Sequence, residues 1–239
     1  MTVQASSDHP KAHCIPIRTG FGPTARAGCL LLLTALGAAC AGPKYQINDA
    51  VLSDLPLQDK QRMLAVQGEI NQATEEKNKA QSDIATDERD IAVAEAESSQ
   101  ARLESDKLEA NLRLAERSQD LNRIGPAKAS FNAANSPKNA SEAKLKWLQH
   151  RRDYHRMMVE VAELHGTSAE RRYELEKARL AQATGKLPSK DFNVAQFEEQ
   201  AAQAQQKYDQ ARARADKQLA ETSQLEQVHT QLASSRPSN

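Results

Sequence analysis

Glycine is scarce in this chain, nine residues in 239, and aromatic side chains make up only 4% with a single tryptophan. So little glycine leaves no glycine-rich cradle for a phosphate, and neither a P-loop nor a G-x-S-x-G elbow occurs. So few aromatic residues argue against the dense core of a compact enzyme. Cysteine is confined to Cys14, Cys29 and Cys40, and the 199 residues that follow contain none. That tract therefore holds no disulfide framework and no cysteine metal site. An excess of either charge is missing too, since 32 basic residues balance 32 acidic ones. The balance disfavours a nucleic-acid binder. His150 and His155 lie five apart, a spacing that does not stack them on one helix face as i, i+4 ligands would be, and His165 and His229 stand alone. The residues thus indicate no metal, no cofactor and no catalytic constellation, and an enzyme is not expected.

Long apolar runs are almost absent, and the one exception sits near the N-terminus. Leu30-Leu31-Leu32-Leu33-Thr34-Ala35-Leu36-Gly37-Ala38-Ala39 follows Lys11, Arg18 and Arg26 and closes on Cys40. Basic residues, an apolar core and small residues at a cut read as an export signal. The segment resembles the lipoprotein signal-peptide family, whose pattern is an aliphatic residue, two small residues and a cysteine. Here Gly37 takes the aliphatic place, with Leu36 one position early, followed by Ala38, Ala39 and Cys40. The resemblance implies removal of residues 1–39, acylation of Cys40 and anchoring of the mature chain to a Gram-negative envelope membrane. Two or more acyl chains hold where one binds only marginally. Ala41, in place of an aspartate, points by that family's sorting rule to the outer membrane, facing the periplasm. An inner-membrane anchor is the alternative, as is ordinary secretion into the periplasm, because Gly37-Ala38-Ala39 also satisfies a general signal peptidase. As a retained membrane anchor, residues 27–42 fall short of the ~20 residues that a span needs.

Cleavage before Cys40 would remove Lys11, Arg18, Arg26 and Asp8, leaving 29 basic against 31 acidic residues and a net charge near −2. It would also take away Cys14 and Cys29, so stability must come from helix packing. A lipidated Cys40 and tether over 40–53 precede a first helix predicted for 54–124, starting at Asp54-Leu55-Pro56 with an acidic cap and an early proline. A seven-residue repeat runs through it. One seam holds Met63, Ile70, Lys77, Ile84, Ile91, Ser98, Ser105 and Leu112; the other holds Val66, Ala73, Ala80, Asp87, Ala94, Ala101, Leu108 and Ala115. Twelve of these 16 positions are apolar, the signature of a coiled coil. Lys77 and Asp87 would be costly there unless paired across the interface, left at an open edge or simply solvated.

Gly125-Pro126 and the Ala-, Asn-, Ser- and Pro-rich stretch to Ser136-Pro137 predict a turn over 125–140. A second helical stretch is predicted over 141–184, with a kink or restart at Gly166 before Thr167-Ser168-Ala169-Glu170. A turn at 185–190 leads to a third helix over 191–233, carrying Val194, Phe197, Ala201, Ala204, Tyr208, Ala211 and Ala215 at steps of three and four, and then to a tail over 234–239. The expected fold is all-α, an elongated antiparallel coiled-coil bundle of about three long helices.

Arg179-Leu180-Ala181-Gln182-Ala183-Thr184-Gly185-Lys186-Leu187, followed by Asp191 and a helix rich in Ala and Gln, is similar to the helical hairpins of TolC-like outer-membrane efflux proteins. The similarity spans about a fifth of the chain. No alternating strands suited to a barrel accompany it, so that family's channel does not carry over.

One patch concentrates charge and aromatic character. Lys144, Lys146, Trp147, Arg151, Arg152, Tyr154 and Arg156 stand within 13 residues against a single Asp153. It reads either as a docking site for an acidic partner, placed just after the turn and so near the far tip, or as a bundle seam with a solvated face. The function expected is that of a non-enzymatic, membrane-anchored lipoprotein acting as a coiled-coil scaffold or adaptor for an envelope complex. Its partners would be the bilayer through Cys40, an envelope protein and, by self-association, its own kind. A helical subunit of an export conduit, or a soluble periplasmic coiled coil, is the alternative.

Overall fold

The computed structural model describes residues 56–187 and 190–235, all within the unit Pro43–Asn239. The expectations for the signal segment, Cys40, the tether over 40–53 and the last four residues lie outside the described residues. Three helices make up nearly all the rest: α1 (Leu57–Ser118), α2 (Leu121–Ala183) and α3 (Val194–Ser234). They pack as an antiparallel all-α bundle, with α2 lying between α1 and α3 and in contact with both.

The first helix forms where the heptad pattern predicts, and all 16 seam positions of α1 are buried or half-buried. Alanine at five of the eight positions of the second seam lets the backbones of α1 and α2 approach closely. The third helix behaves likewise, with Phe197, Ala201, Ala204, Ala211 and Ala215 buried along one face. Its start is capped by Asn193, whose side chain accepts a hydrogen bond from the amide of Ala195.

The turn between the first two helices differs from expectation. The chain reverses at Gln119 and Asp120, not across 125–140. Gln119 adopts the left-handed conformation, with φ 53°, and Asp120 caps α2 by accepting from the amide of Asn122 at 3.0 Å. Gly125, Pro126 and Pro137 all lie inside α2. The physical reason is a second heptad that runs straight through them: Ile124, Ala127, Phe131, Ala134, Lys138, Ser141, Leu145 and Leu148 are all buried or half-buried. Packing against α1 outweighs the two amide hydrogen bonds that the prolines cannot make.

Gly166 does not restart the helix, because α2 is continuous through it. Thr167 and Ser168 form no capping box. Instead Thr167 Oγ1 donates to the carbonyl of Glu163, and Ser168, fully buried, donates to Gln205 Oε1 of α3 at 2.9 Å. A β-carbon at Gly166 would stand 3.6 Å from that of Ala73, so this is where α1 and α2 lie side by side.

The helices are 62, 63 and 41 residues long, or about 93, 95 and 62 Å at the α-helical rise. The last turn of α3 reaches Pro137, Ala140 and Ser141 of α2, as His229 and Ala233 share a groove with them. Residues 121–136 of α2 and the facing end of α1 therefore project past α3 as a two-helix tip. The first two helices are nearly equal in length, where the ranges 54–124 and 141–184 made the first much the longer; the third is the short one.

Candidate functional site

A ladder of ion pairs links α1 to α2 along the stretch from Glu69 to Arg102 of α1. Asp87 is at its centre, 2% exposed in a seam otherwise filled by Ala80, Ile91 and Ala94. Its Oδ1 accepts from Arg151 Nε at 2.7 Å and its Oδ2 lies 2.7 Å from His155 Nδ1. Arg151 reaches on to Asp90 Oδ2 at 2.6 Å, and its guanidinium sits 4.9 Å from the Trp147 ring. Burial lowers the pKa of Arg151, but hydrogen bonds to Asp90 and Asp87 outweigh this and raise it above its ordinary value. The cross-interface pairing considered for Asp87 and Lys77 is the arrangement found, with Lys77 Nζ 2.9 Å from Glu163 Oε1.

Away from the centre the pairs recur in step. Glu69 meets Arg172, Glu76 meets His165 at 3.2 Å, Asp90 meets Arg151, and Glu97 meets Lys144 at 2.7 Å. Each advance of seven or a multiple of seven on α1 is matched by an equal retreat on α2. Carboxylates occupy every seventh position from Glu69 through Glu76, Asp83, Asp90, Glu97 and Glu104. This flanking position of the heptad is where paired coiled-coil helices carry their interhelical charges. The run is legible in the sequence as an acidic flank of the apolar seam.

The basic patch takes its place in this ladder. Lys144, Arg151, Arg152 and Arg156 each form an ion pair within the chain, with Glu97, with Asp87 and Asp90, with Asp153, and with Glu88 and Asp153, respectively. Trp147 packs beside Ile91, Ala94 and Leu148 and stacks on His229 of α3, with ring centres 5.7 Å apart. Tyr154 packs beside Val161, Ala211 and Ala215. Lys146 and Arg156 are the exposed members of the seven, and Lys146 lies on the rim of a groove with His150, Glu221 and Leu225. Nor is the patch at the far tip, because the turn lies at residues 119–120, roughly 35 Å or more from it along α2. Lys144, Arg151 and Arg156 thus pair α2 with α1, while Arg152 pairs with its neighbour Asp153.

All four histidines of the described helices sit at helix contacts: His155 and His165 against carboxylates of α1, His150 against Gln218 of α3, and His229 on Trp147. No cluster of His, Cys, Asp or Glu suited to a metal occurs among the described residues. The grooves between helices are open; one, of about 820 Å³, is lined by Met63, Val66, Arg172, Leu175 and Leu180. Among the described residues no helix is long and apolar enough to cross a membrane. No protein-family model, no curated protein and no solved structure matches this chain.

Proposed function

We propose that this protein is a non-enzymatic lipoprotein, anchored through an acylated Cys40, whose helices serve as a periplasmic scaffold or adaptor for a protein complex of the cell envelope. The observation that carries the reading is how the helical unit uses its polar residues. Its buried and charged side chains pair with one another across helices, Asp87 with Arg151 and His155 above all, in place of converging on a cavity. A molecule built in this way offers length and surface, not a reaction centre. The 16 residues from Ala41 to Pro56 supply a tether between the acylation site and α1. Outer-membrane residence follows from Ala41 by the sorting rule of the lipoprotein family.

Metabolic labelling with a fatty-acid analogue tests the anchor. Cells expressing the native chain should give a labelled band in the outer-membrane fraction, and Cys40→Ala should abolish both label and membrane association. An unlabelled native chain in the soluble periplasm would overturn the anchored reading.

A further inference from the structure

The open groove of about 820 Å³ lies between the first turns of α1 and the last turns of α2. Its apolar lining is part of the core, with Met63 and Leu175 buried and Val66 and Leu180 half-buried. Arg62, Arg172 and Arg179 line it with Asp59 and Glu176, one positive charge in excess. It runs from Asp59 to Val66 on α1 and from Arg172 to Ala183 on α2, about 10 and 16 Å at the α-helical rise.

The chain itself supplies a segment that fits. Residues 45–55 end where the groove begins, since α1 starts at Leu57 and Asp59 already lines the groove. Tyr45, Ile47, Val51, Leu52 and Leu55 would fall within about 160° of one another around an α-helix, with Gln46, Asp49 and Ser53 outside that arc. As a helix the segment would be about 16 Å long, the length of the groove, whereas an extended strand would be about twice that. Asp49 and Asp54 are its only charged residues, opposite in sign to the excess in the groove. Pro56 keeps the segment from continuing α1. Its ring disfavours helical backbone at Leu55, and its own φ of −55° and ψ of 151° are not helical. A change of direction there turns the segment back along the groove. Joined to α1 beside the groove, it also reaches the site at an effective concentration that no unlinked partner has.

We propose that residues 45–55 dock in this groove as a short amphipathic helix, turned back at Leu55-Pro56, with their apolar face covering Met63, Val66 and Leu180. The docking does not depend on acylation of Cys40. Its consequence for the anchor rests on the lipoprotein reading: residues 41–44 alone would separate the acylated cysteine from the bundle, holding the start of α1 close to the membrane.

Hydrogen–deuterium exchange tests the docking in the full chain, with Cys14, Cys29 and Cys40 replaced by serine so that no acyl chain is present. Amides of residues 47–53 should exchange at least ~10-fold more slowly than in the unfolded chain. Ala65 and Ala183 are exposed residues of the groove wall. Ala65→Glu with Ala183→Glu adds bulk there and charge of the same sign as Asp49 and Asp54, and should return these amides to the unprotected rate. Protection within α1 and α2 should be unchanged in that variant. Unprotected amides at 47–53 in the starting chain overturn the proposal. So does protection that survives the double substitution, which would put the segment elsewhere. Protection that falls on dilution overturns it too, because the groove would then hold the segment of another copy.

Discussion

Asp87 is the residue on which the hairpin turns, and its surroundings decide what replacing it does. In a heptad core an aspartate is the wrong residue by hydropathy, and it persists only because Arg151 and His155 meet both of its oxygens. Asp87→Ala should cost about 3 kcal/mol in urea unfolding, because it leaves the half-buried Arg151 with Asp90 alone, takes from His155 the carboxylate at 2.7 Å and opens space in the seam. Asp87→Leu combined with Arg151→Leu should recover most of that loss, since removing both charges spares the cost of burying them. A loss in the double variant equal to that of Asp87→Ala would mean the pair supports the fold through something other than its charge. The sequence identified Asp87 as an anomaly but not its partners. These stand 64 and 68 positions away, and a partner can be read off only once the turn is placed.

Among the elements, α1 and α3 were legible and the start of α2 was not. In α1 local propensity and the heptad agree, so pattern alone located the 16 seam positions, all of them buried or half-buried. In α2 they disagree. Gly125-Pro126 and Pro137 signal a break, while Ile124, Phe131 and Ala134 keep the seven-residue period, and the long contact with α1 resolves the conflict in favour of helix. The short polar run Ser118-Gln119-Asp120 was the true turn signal, an N-cap directly ahead of an apolar residue. Pro137 therefore weakens α2 where it stands. Pro137→Ala should stabilise the protein by about 2 kcal/mol in urea unfolding, because it restores an amide hydrogen bond and relieves the ring's clash with the preceding turn. A loss of stability from that substitution would mean that α2 is held in a bend the alanine cannot adopt.

For the molecule as a whole, the ladder explains how a long antiparallel pair built largely on alanine keeps one register. Small residues bury little area per contact and would tolerate sliding by a heptad. Paired charges of opposite sign at fixed steps would not, since a slip at the centre leaves Asp87 buried without Arg151. The architecture was legible because period and composition act along the chain. The ladder needed both helices in register before its rungs could be seen. The same register makes a sharp test available at Ala73 and Gly166, whose β-carbons would stand 3.6 Å apart, within the range of a disulfide. In the full chain, with the three native cysteines replaced by serine, Ala73→Cys with Gly166→Cys should oxidise quantitatively to an intramolecular disulfide, confirmed by mass spectrometry of the linked peptides. Two free thiols under the same oxidation would contradict the account, since a turn over 125–140 sets Ala73 against residues more than ~20 positions further along the chain.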